Sequence, residues 1–581
     1  MQIRQTAVSP AHNQHKLNPS KEDDPMKIKP FTLILLALSI ILLAACSSAA
    51  PETVQVEVTR VVTEIVEVEG EAVEVTVLVV ETVSEAIESE IAAEETMEEP
   101  AAEAPIAVAP QTDSAESIAP MPTPSPVGTA VPPADMFFQD YGVNPYILTS
   151  ADNLSTFSLD VDTGSYSIAR RYINDGLMPP PNAIRVEEFV NSFDQGYLNP
   201  PDTGFAVYAD GAPSPFHNDG TYFLRVGVQG YDVEEEFRPA AALTFVIDVS
   251  GSMGQDNRLG LVKESLQLLV DRMRSDDTVA IVVYGSNARV VLNPTNGSDR
   301  STILSAIYGL NSEGSTNLEA GLNLGYELAN RAYKPGGINR VIIASDGVAN
   351  VGNTGPEALA AQIRGYADSG ISLTTIGFGM GNYNDVLMEQ LADNGDGNYA
   401  YVDNMDEAER LFVDNLMSTL QTIALDAKIQ VEFDANVVQQ YRLIGYENRA
   451  IADQDFRNDD IDAAEFGAGH SAAAIYAVQF VPGANGRIGT VNLRWQDPDT
   501  RRVQEISGTF NTWDLSSSFE SAPTHFQLAV VTSQFAELLR GSYWAEGVTY
   551  NDLRIWADRL AAQMNDADVH ELASLIRQVS S

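Results

Sequence analysis

The feature that most constrains the fold is an alternation of short apolar runs and amphipathic stretches that begins at Ala241. The first run, 243–249, is almost continuously apolar, which is typical of a strand buried on both faces of a sheet. Apolar residues at helical spacing follow it from Leu259 to Met273. Strands alternating with helices predict an α/β fold with a doubly wound, mostly parallel sheet. The same patterns predict further strands at 279–284, 340–344, 372–378 and 399–402, an antiparallel edge at 290–292, and helices at 301–310, 318–332, 357–367, 383–391 and 405–420.

Polar residues lie where the predicted strands end. Asp248, Ser250 and Ser252 follow the first strand, Thr316 precedes a helix, and Asp346 follows the strand 340–344. Ligands bind beyond the carboxyl ends of the strands in such sheets, so these side chains can converge. Two carboxylates and three hydroxyls suit a hard cation such as Mg²⁺, which takes oxygen ligands at about 2.0–2.1 Å and keeps some waters. The sequence therefore predicts a site for Mg²⁺ or Mn²⁺ with a position open to another molecule's carboxylate.

This set, an Asp-x-Ser-x-Ser motif with a later Thr and a later Asp-Gly, resembles the metal-ion-dependent adhesion site of von Willebrand factor type A domains. The resemblance implies that Ser250, Ser252 and Thr316 bind the ion through their hydroxyls. It also implies that Asp248 and Asp346 act largely through water. The expected function is then binding of a protein partner that presents an exposed Asp or Glu.

Other motifs in this domain do not predict catalysis. Ser252 lies in Ser-Gly-Ser-Met-Gly, which lacks the first glycine of a nucleophile elbow. In the run Gly377-Phe-Gly379-Met-Gly381, the third glycine falls one place too early for a dinucleotide-binding fingerprint. Every acid at the metal site has a ligand role, which leaves no general base for hydrolysis. We therefore expect no enzyme. The alternatives to adhesion are a structural or assembly protein whose metal only stabilises loops, and a metal-dependent hydrolase.

The start of the chain carries a predicted lipoprotein signal. Residues 26–45 combine lysines, a short apolar run and small residues before Cys46. The apolar run is too short to span a hydrocarbon core of about 30 Å comfortably. Leu43-Ala-Ala-Cys46 resembles the lipobox of bacterial lipoproteins, which implies that Cys46 is lipidated and anchors the protein to the bacterial membrane on its extracytoplasmic side. Residues 1–25 are interpreted as an over-called start.

The composition of residues 46–135 predicts a disordered tether that is acidic and rich in proline. No Phe, Trp or Tyr occurs from Ser47 to Pro133, although Val alternates with polar residues in the first part at the period of a strand. Without aromatic anchors and with many like charges, an extended tether is favoured. The whole chain has 81 acidic and 34 basic residues, a net charge of −47. Such a charge repels phosphate backbones, so nucleic acid is excluded as a partner.

Three further segments flank the predicted type A domain at 240–422. Strand-like runs occur in an N-terminal module, 150–232, and in a β-rich region, 423–515, and an apolar helical stripe occurs in 520–581. We expect the type A domain to be inserted in, or flanked by, a β-sandwich; the insertion hypothesis fails if the two β-rich segments share no sheet. Motifs such as Phe157–Ser167 and Tyr441–Arg449 resemble, in order, a bacterial family of YfbK-like proteins.

Overall fold

The computed structural model describes residues 138–159, 161–201, 204–347, 356–379, 384–416 and 420–580, and the backbone alone of 55–68, 71–84 and 356–357. Its strands are β1 (Gln55–Val68), β2 (Glu71–Ser84), β3 (Ile147–Leu148), β4 (Leu154–Ser158), β5 (Phe205–Pro213), β6 (Thr221–Gly230), β7 (Ala241–Asp248), β8 (Thr278–Tyr284), β9 (Ala288–Asn296), β10 (Ile338–Ser345), β11 (Ser372–Phe378), β12 (Tyr399–Val402), β13 (Thr422–Phe433), β14 (Val438–Ile444), β15 (Ala464–Gly467), β16 (Ser471–Phe480), β17 (Arg487–Gln496) and β18 (Val503–Asn511). Its helices are α1 (Gly164–Asn174), α2 (Val186–Asn191), α3 (Arg258–Arg272), α4 (Arg300–Tyr308), α5 (Leu318–Ala332), α6 (Pro356–Ala367), α7 (Asp385–Asp393), α8 (Met405–Glu409), α9 (Thr524–Leu539), α10 (Tyr550–Met564) and α11 (Ala567–Val579).

The first two strands form an antiparallel hairpin of their own. β1 and β2 pair along their whole length, from Gln55 opposite Ser84 to Val68 opposite Glu71. Within the predicted tether, the strand period of these residues is thus realised as a hairpin, in which the paired backbone groups satisfy one another. The rest of the range 46–135, the signal at 26–45, Cys46 and the segment 1–25 lie outside the described residues.

The α/β unit confirms the predicted doubly wound sheet. The described strands lie in the order β12-β11-β10-β7-β8-β9, all parallel except β9, which pairs antiparallel with β8 at the predicted edge. The central strand β7 is buried along its whole length. One face of the sheet packs against α3 and the other against α5. The predicted helix 405–420 is interrupted, because α8 passes into a π-helical turn, Arg410–Asp414, after which Leu416 and Leu420 are again helical.

The two β-rich segments form one β-sandwich rather than separate domains. β6, which precedes the α/β unit, pairs with β16, which follows it, and β4 pairs with β13 in the same way. The described sheets have the orders β3-β14-β16-β6-β5 and β15-β13-β17-β18, with β4 beside β13. The insertion hypothesis is confirmed by these shared sheets. The α/β unit is inserted between β6 and β13.

The C-terminal helices form a third layer on the sandwich. Along β16, Ala474, Tyr476 and Val478 belong to the core between the two sheets, whereas Ile475 and Ala477 pack with α9, α10 and α11. This alternation follows from the two-residue period of a strand. The predicted helical segment 520–581 is thus confirmed. Among the helices of the described residues, none is both long and apolar enough to cross a membrane.

Candidate metal site

The candidate site lies at the carboxyl edge of the central strands β7 and β10. These strands are parallel neighbours, and their register places Ala344 opposite Ile247. The next residues, Ser345 and Asp248, are the last of their strands and therefore lie side by side. The Asp248 side chain is fully buried, and Asp346 is 1% exposed.

Hydrogen bonds hold the loop after β7 in place. The backbone N–H of Ser250 donates to Asp248 Oδ1 at 2.8 Å, and the Ser345 hydroxyl donates to Asp248 Oδ2 at 3.0 Å. The Oγ atoms of Ser250 and Ser252 lie 3.0 Å apart. Three of the predicted ligands are thus in one hydrogen-bonded group. Sequence reasoning did not assign a role to Ser345, which fixes the second carboxylate oxygen.

Thr316 reaches the same edge through the backbone of its loop. The N–H of Gly251 donates to the carbonyl of Gly314 at 3.1 Å, and the N–H of Glu313 donates to the carbonyl of Val249. Thr316 follows two residues after Gly314, at the start of α5, and is 7% exposed. The loop before α5 therefore meets the loop after β7 through these backbone hydrogen bonds, and among the described residues Thr316 forms no hydrogen bond with the serines.

Asp346 is held by a residue that the sequence prediction missed. Arg258 Nη1 donates to Asp346 Oδ2 at 2.8 Å, and the Arg258 side chain is only 5% exposed. Arg258 is the first residue of α3, where the positive end of the helix dipole disfavours a cation. That unfavourable position is the sequence signal that could have identified it.

The electrostatics of the site favour a cation. Burial raises the pKa of Asp248 to about 6, and the nearby charge of Asp346 adds to this, against the hydrogen bonds from Ser250 and Ser345. Within the described part of the chain, Asp248 forms no ion pair with a basic side chain. A buried carboxylate beside a second carboxylate is stabilised in its charged form by a positive ion.

The donor set fits a hard divalent ion but no other common type. Among the described residues, no three His, Cys, Asp or Glu side chains are grouped as metal ligands. A metal at this edge would therefore take serine and threonine hydroxyls in addition to the two carboxylates. Such an all-oxygen set suits Mg²⁺ or Mn²⁺ and does not suit zinc.

Comparison with known proteins identifies the family. The profile of the von Willebrand factor type A domain matches residues 242–414, and that of the YfbK C-terminal region matches 418–489 and 481–581. A profile described as von Willebrand factor matches 132–224. YfbK of Escherichia coli K12, itself described as uncharacterized, is 35% identical over 453 residues, which cover 74% of this chain and 78% of that protein. The chain belongs to the YfbK-like family.

More distant similarities to this YfbK-like protein have lower sequence identity. Mouse inter-alpha-trypsin inhibitor heavy chain H3 is 26% identical over 214 residues, 34% of this chain and 22% of that one. A solved von Willebrand factor type A structure from Catenulispora acidiphila is 16% identical and covers 66% of this chain and 91% of its own, with a TM-score of 0.38. A type A domain is compatible with protein–protein interaction or adhesion.

Proposed function

We propose that this YfbK-like protein is a lipid-anchored protein of the bacterial cell envelope that binds a protein partner through a divalent cation. The observation that carries the proposal is the convergence of two buried carboxylates and two serine hydroxyls at one sheet edge. Ser250, Ser252 and Thr316 would hold Mg²⁺ or Mn²⁺ directly, and Asp248 and Asp346 largely through water. When bound, the ion supplies a coordination position that a partner's Asp or Glu can fill.

The protein's own residues orient the ligands for this role. Both oxygens of Asp248 are fixed, one by the Ser250 N–H and the other by the Ser345 hydroxyl. Arg258 fixes Oδ2 of Asp346. Fixed carboxylates reduce the cost of ordering the site when an ion binds. We propose no catalytic residue, since each acid of the site has a ligand role and none is left to act as a general base.

Residue 346 offers a sharp test with a matched control. Asp346→Asn removes one carboxylate of the site, whereas Asp256→Asn makes the same chemical change in the neighbouring loop at a side chain that is 72% exposed. Isothermal titration with Mg²⁺ and with Mn²⁺ should show binding to wild type and to Asp256→Asn, and loss of binding in Asp346→Asn. Equal metal binding by all three proteins would overturn the metal site.

Partner binding needs a second measurement. Envelope proteins retained by wild type in Mg²⁺ should be lost both in EDTA and with Asp346→Asn, and mass spectrometry of the lost proteins identifies the partner. If metal binds but retention is the same in EDTA, the ion only stabilises loops, and the adhesive role is wrong.

The proposed anchor is tested separately. Cys46 would carry the lipid, so Cys46→Ser should move the protein from the membrane fraction to the soluble envelope fraction. Retention of the variant in the membrane fraction would contradict lipidation at this residue and would leave the metal site unaffected.

A further inference from the structure

A cavity of about 400 Å³ lies between the outer face of the β14-β16-β6 sheet and the end of α9. Its position is distinct from the candidate metal site, because its lining comes from the sandwich and the C-terminal helices and not from the α/β unit. Its volume lies at the lower end of the range for small-molecule sites, about 300–1,000 Å³. The walls include Tyr146, Phe223 and Trp544, and the floor includes Arg442 and Gln534.

The cavity contains buried donor atoms without acceptors. Arg442 is 2% exposed; its Nη2 donates to Glu537 Oε2 at 2.8 Å and its guanidinium lies 5.6 Å from the centre of the Trp544 ring, but its Nε and Nη1 have no acceptor among the described residues. Gln534, also 2% exposed, lines the same cavity. Buried groups of this kind are costly and are rarely left unsatisfied in folded proteins. Donors and an amide that face one cavity therefore indicate a polar ligand.

Aromatic rings form the wall and the mouth of the cavity. Tyr146 packs edge-on against Trp544 with centroids 5.0 Å apart, and Tyr543 also packs edge-on against the same indole, at 5.3 Å. Tyr543 is 73% exposed, which is unusual for a large aromatic residue. The ligand therefore has an apolar face as well as polar groups, since flat rings at a cavity mouth gain most from contact with such a face.

The charges around the cavity disfavour an anionic ligand. The guanidinium of Arg442 is offset by Glu537, and the carboxylates of Asp219 and Glu546 line the same space, so an anion would meet repulsion. Gln440 and Gln479, joined at 3.0 Å, add amides that both donate and accept. A neutral ligand with many hydroxyl groups satisfies this mixture of donors and acceptors.

We propose that the cavity binds a neutral saccharide. A pyranose ring has an apolar C–H face that can pack on the exposed ring of Tyr543 beside Trp544, and its hydroxyls can accept from Arg442 and exchange hydrogen bonds with the Gln534 amide. The cavity volume suits one or two sugar units, so the end of a glycan chain is the expected ligand. This site is independent of the proposed metal site.

Gln534→Leu is the most informative variant, because it separates binding from folding. The change keeps the size of a side chain that lines the cavity, so the melting temperature should stay close to that of wild type. Saccharide affinity should nevertheless fall about tenfold, as expected for the loss of one or two hydrogen bonds. Trp544→Ala should also lose binding, and Trp513→Ala, at a tryptophan that is 70% exposed elsewhere, is the matched control.

The assay uses the full chain and three neutral probes: chitotetraose, cellotetraose and maltotetraose. Saturation-transfer difference NMR and tryptophan fluorescence should show binding of at least one probe at millimolar concentration or below. Glutarate is included as an anionic probe. The proposal is overturned if no tetrasaccharide binds, if glutarate binds in place of the sugars, or if Gln534→Leu binds them as tightly as wild type.

Discussion

Replacing Arg258 by Met tests the electrostatics of the sheet edge directly. Arg258 and Asp346 form an ion pair at 2.8 Å, with side chains 5% and 0% exposed. Removing one partner of a buried pair leaves an uncompensated charge and costs about 3–5 kcal/mol. In a unit of the size of the α/β domain, 1 kcal/mol corresponds to about 2–4 °C. We therefore expect the melting temperature in EDTA to fall by roughly 6–20 °C.

A matched control is available in the same domain. Arg289 and Glu313 also pair at 2.8 Å, but their side chains are 52% and 56% exposed. Exposed pairs contribute at most about 1 kcal/mol, because water already solvates both charges. Arg289→Met should therefore lower the melting temperature by only a few degrees. Differential scanning fluorimetry in EDTA compares the two variants under identical conditions.

The same experiment in Mg²⁺ connects this pair to the proposed metal site. Without Arg258, a divalent ion becomes the main counter-charge for Asp248 and Asp346, and a ligand that binds the native state raises its stability. The stabilisation by Mg²⁺ should then be larger in Arg258→Met than in wild type. The reasoning is refuted if Arg258→Met is no less stable in EDTA than Arg289→Met. Equal stabilisation of Arg258→Met and wild type by Mg²⁺ would instead show that Arg258 and the ion do not share this site.

Three further predictions concern packing, ion pairs and pH. Gly325→Ala in α5 places a Cβ 2.4 Å from a methyl group of Val246 in β7, and should destabilise the protein by about 1–3 kcal/mol in urea denaturation. The control is Gly365→Ala in α6, whose Cβ meets nothing within 4 Å among the described residues, so this change should be neutral or stabilising. Arg170 is 3% exposed and pairs with three carboxylates, so Arg170→Met should lower the free energy of unfolding by about 3–5 kcal/mol. Arg171 pairs with Asp175, and these side chains are 40% and 43% exposed, so Arg171→Met should lower the urea midpoint only slightly. Burial lowers the pKa of His470 from 6.5 to about 4, so the unfolded chain binds the proton more tightly than the folded chain does. The stability of the protein should therefore fall as the pH drops from 6.5 through 4. In melting experiments the stability of His470→Gln should fall less steeply over the same pH range.

Several elements could be predicted because their signals are local. The apolar run of β7 and the helical stripe of α3 are periodic patterns within one short window, and both elements form where the periodicity indicates. The hairpin β1–β2 shows the limit of compositional reasoning. Its strand period was visible, but acidic, aromatic-free composition favoured a tether, and the pairing of the two strands satisfies the backbone without an aromatic core.

The doubly wound sheet can be predicted from the sequence alone, and so can the places along the chain where oxygen-bearing side chains follow its strands. Both depend on residue periodicity and on the order of elements, which a linear reading contains. The folded chain alone reveals that β6 and β16 share a sheet across the inserted domain, and that Arg258 pairs with Asp346, 88 residues later. It also reveals that Arg442 and Gln534 line one cavity. These contacts join residues far apart in the chain, and their energies depend on burial and distance, which no local pattern of residues encodes.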